Sequence, residues 1–271
     1  MWWKMALFIV LGYAVLVGVV YLAQDSLLYF PNAGREHAVT PAAHGLAYED
    51  LSLRTEDGET LHAWWLPATP SRGTVLLFHG NAGNISHRLD YARMFRGLGY
   101  NTLLVDYRGY GKSTGKPSEE GTYRDAAAAW RWLTGTRGIP EREVAVFGES
   151  LGGGVACWLA RNRPVGALVL ASTFTSVPDM AAEVYGFLPV RLISRFKYDT
   201  RECLGHVKAP VLVVHSPRDD IIPYAHGRKL YESAREPKEF LEIAGGHNDG
   251  FVFTRPEWVK ALGDFLDRAR R

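Results

Sequence analysis

One serine stands where a nucleophile would be built. Gly148-Glu149-Ser150-Leu151-Gly152 is a G-x-S-x-G pentapeptide. It lies between an apolar run, Val144–Phe147, and a segment from Leu151 to Arg161 that reads as a helix. A sharp strand-to-helix turn of this kind lifts the serine Oγ at the helix N-terminus. Gly148 and Gly152, two residues to either side, are expected to relieve crowding against the neighbouring strand and helix. The same residues also fit a Gly-rich turn with a helix-capping serine. The strand-to-helix setting favours the nucleophile.

A serine hydroxyl is a weak nucleophile near neutral pH and needs a base, which in turn needs an acid to orient it. With this motif the chain order is serine, then acid, then histidine. Four histidines follow Ser150: His206, His215, His226 and His247. His247 sits in Ala-Gly-Gly-His-Asn-Asp, just after the last predicted strand, where a loop can reach Ser150. His215 ends a strand and is read as support for the acid loop. His226 falls on a predicted helix and is read as a solvated face. The acid should leave the preceding strand, in Val211–Pro223 (VLVVHSPRDDIIP). Asp219 is favoured there, with Ile222 and Pro223 starting the next packed segment and Asp220 a solvated turn residue. Asp249 is too close to His247 along the chain, and Asp106 is read as structural. A developing oxyanion needs backbone N–H donors. Leu151 should supply one. Asn81, in the loop His79–Asn84 after another apolar strand, should supply the second.

Other patterns carry no chemistry. Gly111-Lys112-Ser113 lacks the first glycine of a phosphate loop, because Asp106 stands there. Gly152-Gly153-Gly154 is no dinucleotide fingerprint. His62, His79 and His87 lack metal-ligand spacing with acidic partners, so neither a metal nor a cofactor is expected.

The elements that must position these residues alternate. Leu46–Arg54 and Thr60–Leu66 flank Asp57-Gly58 as a hairpin. Thr74–Phe78, Thr102–Val105, Val144–Phe147, Ala167–Leu170, Val211–Val214 and Glu239–Ile243 are short strands, several of them wholly apolar as in a strand buried on both faces. Helices are predicted over Asn84–Leu98, Glu119–Leu133, Leu151–Arg161, Ala225–Ala234 and Pro256–Ala269. This is an α/β fold: a mostly parallel sheet flanked by helices, with an antiparallel N-terminal hairpin. The interval of about 175–208 is helical and aromatic without a strand, and reads as a small helical cap over the strand ends. Its Tyr185, Phe187, Leu188, Leu192 and Ile193 would suit an acyl chain, or equally ordinary packing.

The chain has 271 residues, with 47% hydrophobic and 22% charged, a globular composition that excludes wholesale disorder. A formal net charge of +2 gives no basic footprint for nucleic acid. Two cysteines, Cys157 and Cys203, make no disulfide framework and read as structural thiols, although export would allow them to pair. The 19 residues Met5–Ala23 carry no charge. At about 1.5 Å per residue they nearly span a hydrocarbon core of roughly 30 Å. They exceed a typical signal h-region, and Tyr21-Leu22-Ala23 makes a poor cleavage site. The expected organisation is a transmembrane anchor over 1–24, an irregular linker over 25–44 and an α/β domain over 45–271. Lys4 and the amino terminus favour a cytoplasmic N-terminus and an exported domain.

YLAQDSLLYFP after an anchor, HGNAGN, DYRGYGKSTGKP, GESLGG and GGHND together resemble one branch of the α/β-hydrolase superfamily. That branch comprises single-pass membrane-anchored serine hydrolases of the abhydrolase-domain, serine-aminopeptidase-like type. The resemblance covers roughly residues 45–268. It implies Ser150, Asp219 and His247 as triad, and Asn81 and Leu151 as oxyanion hole. The chain departs from the pattern at His215-Ser216, where His-Gly is more usual. The expected activity is cleavage of acyl esters or thioesters, with lipidic or lipidated substrates suggested by the anchor. A peptidase or amidase on the same residues and a catalytically silent membrane-anchored binding protein are the rival readings.

Overall fold

The computed structural model describes residues 2–33, 39–248 and 255–270. Eight strands form one sheet in the order β1-β2-β4-β3-β5-β6-β7-β8. β1 (Glu49–Arg54) and β2 (Thr60–Leu66) make the expected antiparallel hairpin, with Leu53 opposite Leu61. Gly58 takes φ 91° at its turn, a conformation that glycine adopts without a Cβ penalty. β2 runs antiparallel to β4 (Tyr100–Val105). From there β3 (Gly73–Phe78), β5 (Val144–Glu149), β6 (Ala167–Ala171), β7 (Val211–His215) and β8 (Lys238–Glu242) continue in parallel.

The parallel strands are apolar on both faces because helices cover both. On one side α2 (Leu89–Gly97) and α9 (Pro256–Ala269) bury Phe95, Trp258, Leu262 and Phe265 against Val75, Leu77 and Phe147. On the other, α3 (Glu119–Arg131), α4 (Leu151–Asn162) and α8 (Tyr224–Ser233) bury Trp130, Leu159 and Leu230 against Leu76, Val146 and Leu168. Each such side chain contributes roughly 1.5–3 kcal/mol by leaving water. The adjacent Trp64 and Trp65 enter opposite clusters, as alternation along a strand requires.

The chain turns one way after β3, to β4, and the other way after β5, to β6. Loops leaving β3 and β5 therefore diverge, and a crevice opens at their carboxyl ends. Between β6 and β7 lie three short helices: α5 (Val177–Val184), α6 (Val190–Ile193) and α7 (Thr200–Leu204). They form the small cap expected over the strand ends.

Three stretches differ from the sequence expectation. Residues 25–28 are not irregular: α1 runs unbroken over Trp2–Leu28. The apolar Leu27-Leu28-Tyr29-Phe30 then docks on the domain. Tyr29 is buried, its Oη 2.8 Å from Tyr198 Oη, and the Phe30 N–H donates to the Asn81 carbonyl at 3.0 Å. Further along, Pro41–His44 forms a single 3-10 turn. The predicted helix from Asn84 likewise opens with a 3-10 turn, Ile85–Arg88, which the Asn84 side chain caps. α1 is long and apolar enough to cross a membrane.

Candidate active site

Ser150 sits between β5 and α4 with φ 53° and ψ −120°. A non-glycine residue in that region carries about 1–3 kcal/mol of strain and persists only where its surroundings hold it. Here they do. The Ser150 N–H donates to the Ala171 carbonyl at 3.0 Å, and Thr173 Oγ1 donates to the Ser150 carbonyl at 2.6 Å. The flanking glycines have steric reasons. A Cβ on Gly148 would lie 2.3 Å from the Gly152 carbonyl oxygen, and one on Gly152 would lie 2.2 Å from that of Phe78. α4 thus packs backbone to backbone against two strands, and only glycine fits.

The loop after β8 brings His247 over Ser150. Its Nε2 lies 3.2 Å from Ser150 Oγ, and its Nδ1 lies 2.9 Å from Asp219 Oδ2 and 3.1 Å from Oδ1. This spacing suits a tautomer with the proton on Nδ1, given to the carboxylate, and Nε2 bare for the hydroxyl. Asp219 also accepts the backbone N–H groups of Ile221 at 3.0 Å and Ile222 at 2.8 Å. Burial pushes its carboxyl up. The bonds from His247 and from the Ile222 and Ile221 amides outweigh that and hold it below the usual carboxylate value.

The loop after β3 backs onto the serine. A Cβ on Gly80 would lie 3.4 Å from Ser150 Cβ. Asn81 is fixed in place: its carbonyl accepts from Tyr110 Oη at 2.9 Å as well as from Phe30, and its Nδ2 donates to the Leu28 carbonyl at 3.0 Å. Leu151 is the first residue of α4, so its N–H has no acceptor within the helix.

Comparison with known proteins places the fold in a family. A family model described as the alpha/beta hydrolase fold matches residues 73–200. The alpha/beta hydrolase domain-containing protein WAV2 of Arabidopsis thaliana is 37% identical, over 97% of this chain and 94% of its own. The chain belongs to the α/β-hydrolase family. The lysophosphatidylserine lipase ABHD12 of Danio rerio is 32% identical to the hydrolase over 75% of this chain and 60% of that protein. An esterase from Pyrococcus furiosus superposes on it with a TM-score of 0.72 at 22% identity, covering 86% of this chain and 94% of that one.

Above Ser150 the hydrolase has a cavity of about 470 Å³. Its floor holds Ser150, His247, Asn81 and the Arg88–Glu149 ion pair, with Nε and Oε2 3.0 Å apart. One wall is the cap, with Met180, Val184, Tyr185 and Ile193. The opposite wall is α1, through Val20, Gln24, Leu27 and Leu28. The sequence treats α1 as a tether, and nothing in its spacing marks Gln24 as part of the cavity. Among the cap residues expected to suit an acyl chain, Tyr185 and Ile193 line the cavity, Leu188 is buried, and Phe187 and Leu192 face outward.

His226 is buried rather than solvated, with Nδ1 accepting from the Thr175 amide at 3.1 Å. Asp220 is exposed, as a turn residue should be, yet its Oδ1 also accepts the His247 N–H at 2.8 Å. His215 supports the acid loop as expected, with Nε2 donating to the Ile222 carbonyl at 2.9 Å. Ser216, where the family pattern has glycine, donates to the Gly245 carbonyl at 2.7 Å and joins the acid loop to the histidine loop. Asp106 caps Ile85 at 2.9 Å and is structural. Asp249 lies outside the described residues. Cys157 and Cys203 are buried free thiols. No group of three or more His, Cys, Asp or Glu is arranged to hold a metal among the described residues.

Proposed function

We propose that the chain is a single-pass membrane-anchored serine hydrolase that cleaves acyl esters or thioesters. Ser150 Oγ attacks the acyl carbonyl, and His247 Nε2 takes its proton. Asp219 keeps the imidazole in the required tautomer and steadies it when charged. The N–H groups of Leu151 and Asn81 bind the oxyanion, each worth about 10²–10³ in rate. His247 returns the proton to the leaving alcohol or thiol. Water then cleaves the acyl-enzyme by the same route and releases the carboxylic acid.

The single observation that carries this reading is the spacing of Ser150, His247 and Asp219, at 3.2 and 2.9 Å. The cavity above them is walled by aliphatic side chains on two sides, which favours an acyl chain over a peptide. Likeness to a lysophosphatidylserine lipase favours lipids with one acyl chain. The N-terminal helix would anchor the enzyme, with Lys4 on the cytoplasmic side and the domain exported.

Turnover of oxygen esters, thioesters and aminoacyl amides with acyl chains of two to roughly sixteen carbons tests the reading. Ester or thioester hydrolysis that rises with chain length is expected. Preference for aminoacyl amides would move the assignment to a peptidase.

A further inference from the structure

The outer end of the cap presents apolar side chains that no part of the domain covers. Val184, Phe187 and Leu192 are 55%, 66% and 88% exposed. The height of this tip along α1 is fixed by one hydrogen bond, from Tyr13 Oη to the Phe187 carbonyl at 2.9 Å. Tyr13 lies ten residues inside the uncharged run that ends at Ala23. That is about 15 Å of helix, or half of a hydrocarbon core of roughly 30 Å. A bilayer that accommodates α1 along its uncharged length must therefore accommodate the cap tip as well.

Polar contacts mark where the apolar zone ends. Gln24 Nε2 donates to the Ile193 carbonyl at 2.9 Å, and Gln24 Oε1 accepts the Arg195 N–H at 2.7 Å. The Arg195 guanidinium lies 3.5 Å from Asp25, just past the uncharged run. Arg191 is neutralised by Asp179 at 2.5 Å. Glu183 is exposed on α5 and resists hydrocarbon, so the tip must enter with Phe187 and Leu192 leading. The cavity straddles the inner level: its α1 lining runs from Val20, inside the uncharged run, through Gln24 to Leu27 and Leu28 beyond it, and Val184 and Ile193 line it from the cap.

We propose that the α5–α6 tip is immersed in the same leaflet as α1, so that the cavity takes its acyl chain directly from the bilayer, between α1 and the cap. This rests on the reading of α1 as a membrane span and of Ser150 as the nucleophile of an acyl hydrolase. The occupant of the exposed apolar face is lipid: the face is continuous with the apolar helix and tied to it at mid-span.

The test uses the full chain in vesicles of phosphatidylcholine and phosphatidylglycerol. Phe187→Cys and Leu192→Cys carry a nitroxide, and the buried native thiols stay unlabelled. Collision with oxygen should exceed collision with a water-soluble nickel chelate at both positions, as at Val15→Cys on α1, with the reverse at Arg142→Cys. A nickel-accessible tip overturns the proposal by placing it in water. A tip shielded from both reagents overturns it by placing protein, such as a second copy, on that face. For the entry route, Phe187→Asp and Leu192→Asp should raise KM for 4-nitrophenyl palmitate held in the vesicles at least tenfold. Hydrolysis of 4-nitrophenyl acetate in water should not change. An unchanged vesicle KM, with both esters hydrolysed, overturns lateral entry alone. Loss of hydrolysis of both esters in the unmutated chain would instead overturn the hydrolase reading, and the nitroxide data would still decide where the tip lies.

Discussion

Ser150, His247 and Asp219 come from three loops spread over nearly a hundred residues, yet each was readable because its chemistry left a local mark. The serine sits in a glycine-flanked turn, and the histidine and the acid each follow an apolar strand. Asn81 and Leu151 were picked out by similar marks, a loop after an apolar strand and the start of a helix, and their role as oxyanion donors belongs to the proposal. Asp220 was not. Its contact with the His247 N–H depends on how two loops meet, and no spacing along the chain records that. Asp219→Asn should leave the fold intact and lower kcat by about 10⁴-fold, because the amide no longer fixes the imidazole tautomer. Asp220→Ala should lower kcat on the order of ten- to a hundredfold through a displaced His247. Asp220→Asn, which keeps an acceptor oxygen, should recover most of it. Equal loss in both Asp220 variants would show that charge rather than position matters there.

At the scale of elements, strands and helices were legible because apolar runs and glycine turns alternate cleanly. The end of α1 was not. An uncharged run stops at Ala23, but the helix continues until Tyr29 finds a buried site against Tyr198. Tertiary contact, not local pattern, sets that end. The consequence is testable at Gln24, which clamps α1 to the cap. Gln24→Ala should raise KM for long-chain esters several-fold and leave short-chain turnover nearly unchanged. A uniform loss across chain lengths would argue for a general folding defect instead. The strand-to-helix turn at Ser150 gives an opposite pair of effects. Gly152→Ala should destabilise by about 3 kcal/mol or more, since its Cβ would meet the Phe78 carbonyl at 2.2 Å. Ser150→Gly should be inactive yet about 1 kcal/mol more stable than Ser150→Ala, because glycine relieves the positive φ. Thermal melts of the three variants check both signs.

For the whole molecule, the two-faced core was visible in the wholly apolar strand runs, but its buried histidines were only partly so. His79, His215 and His226 are all buried, and burial pushes each imidazole below its usual value, His79 to about 4. Each stays neutral when folded and gains a proton on unfolding once the pH is below about 6.5. Their contribution is complete above that pH. It is lost as pH falls toward the folded-state values and levels off below them. Denaturant midpoints should therefore fall between about pH 6.5 and pH 4. A flat profile over that window would contradict the burial of these rings. α1 belongs to the same whole-molecule argument: it is both the apolar N-terminus and a wall of the cavity, so the intact chain is the proper object for assay.

The central claim is that Ser150 is an activated nucleophile. It is tested most directly by treating the full chain, in detergent micelles, with a fluorophosphonate probe beside Ser150→Ala. Labelling of the unmutated chain that disappears in the variant, with His247→Ala labelling at least a hundredfold more slowly, is the predicted result. A folded chain that takes no label, or a Ser150→Ala variant that labels equally, would contradict it.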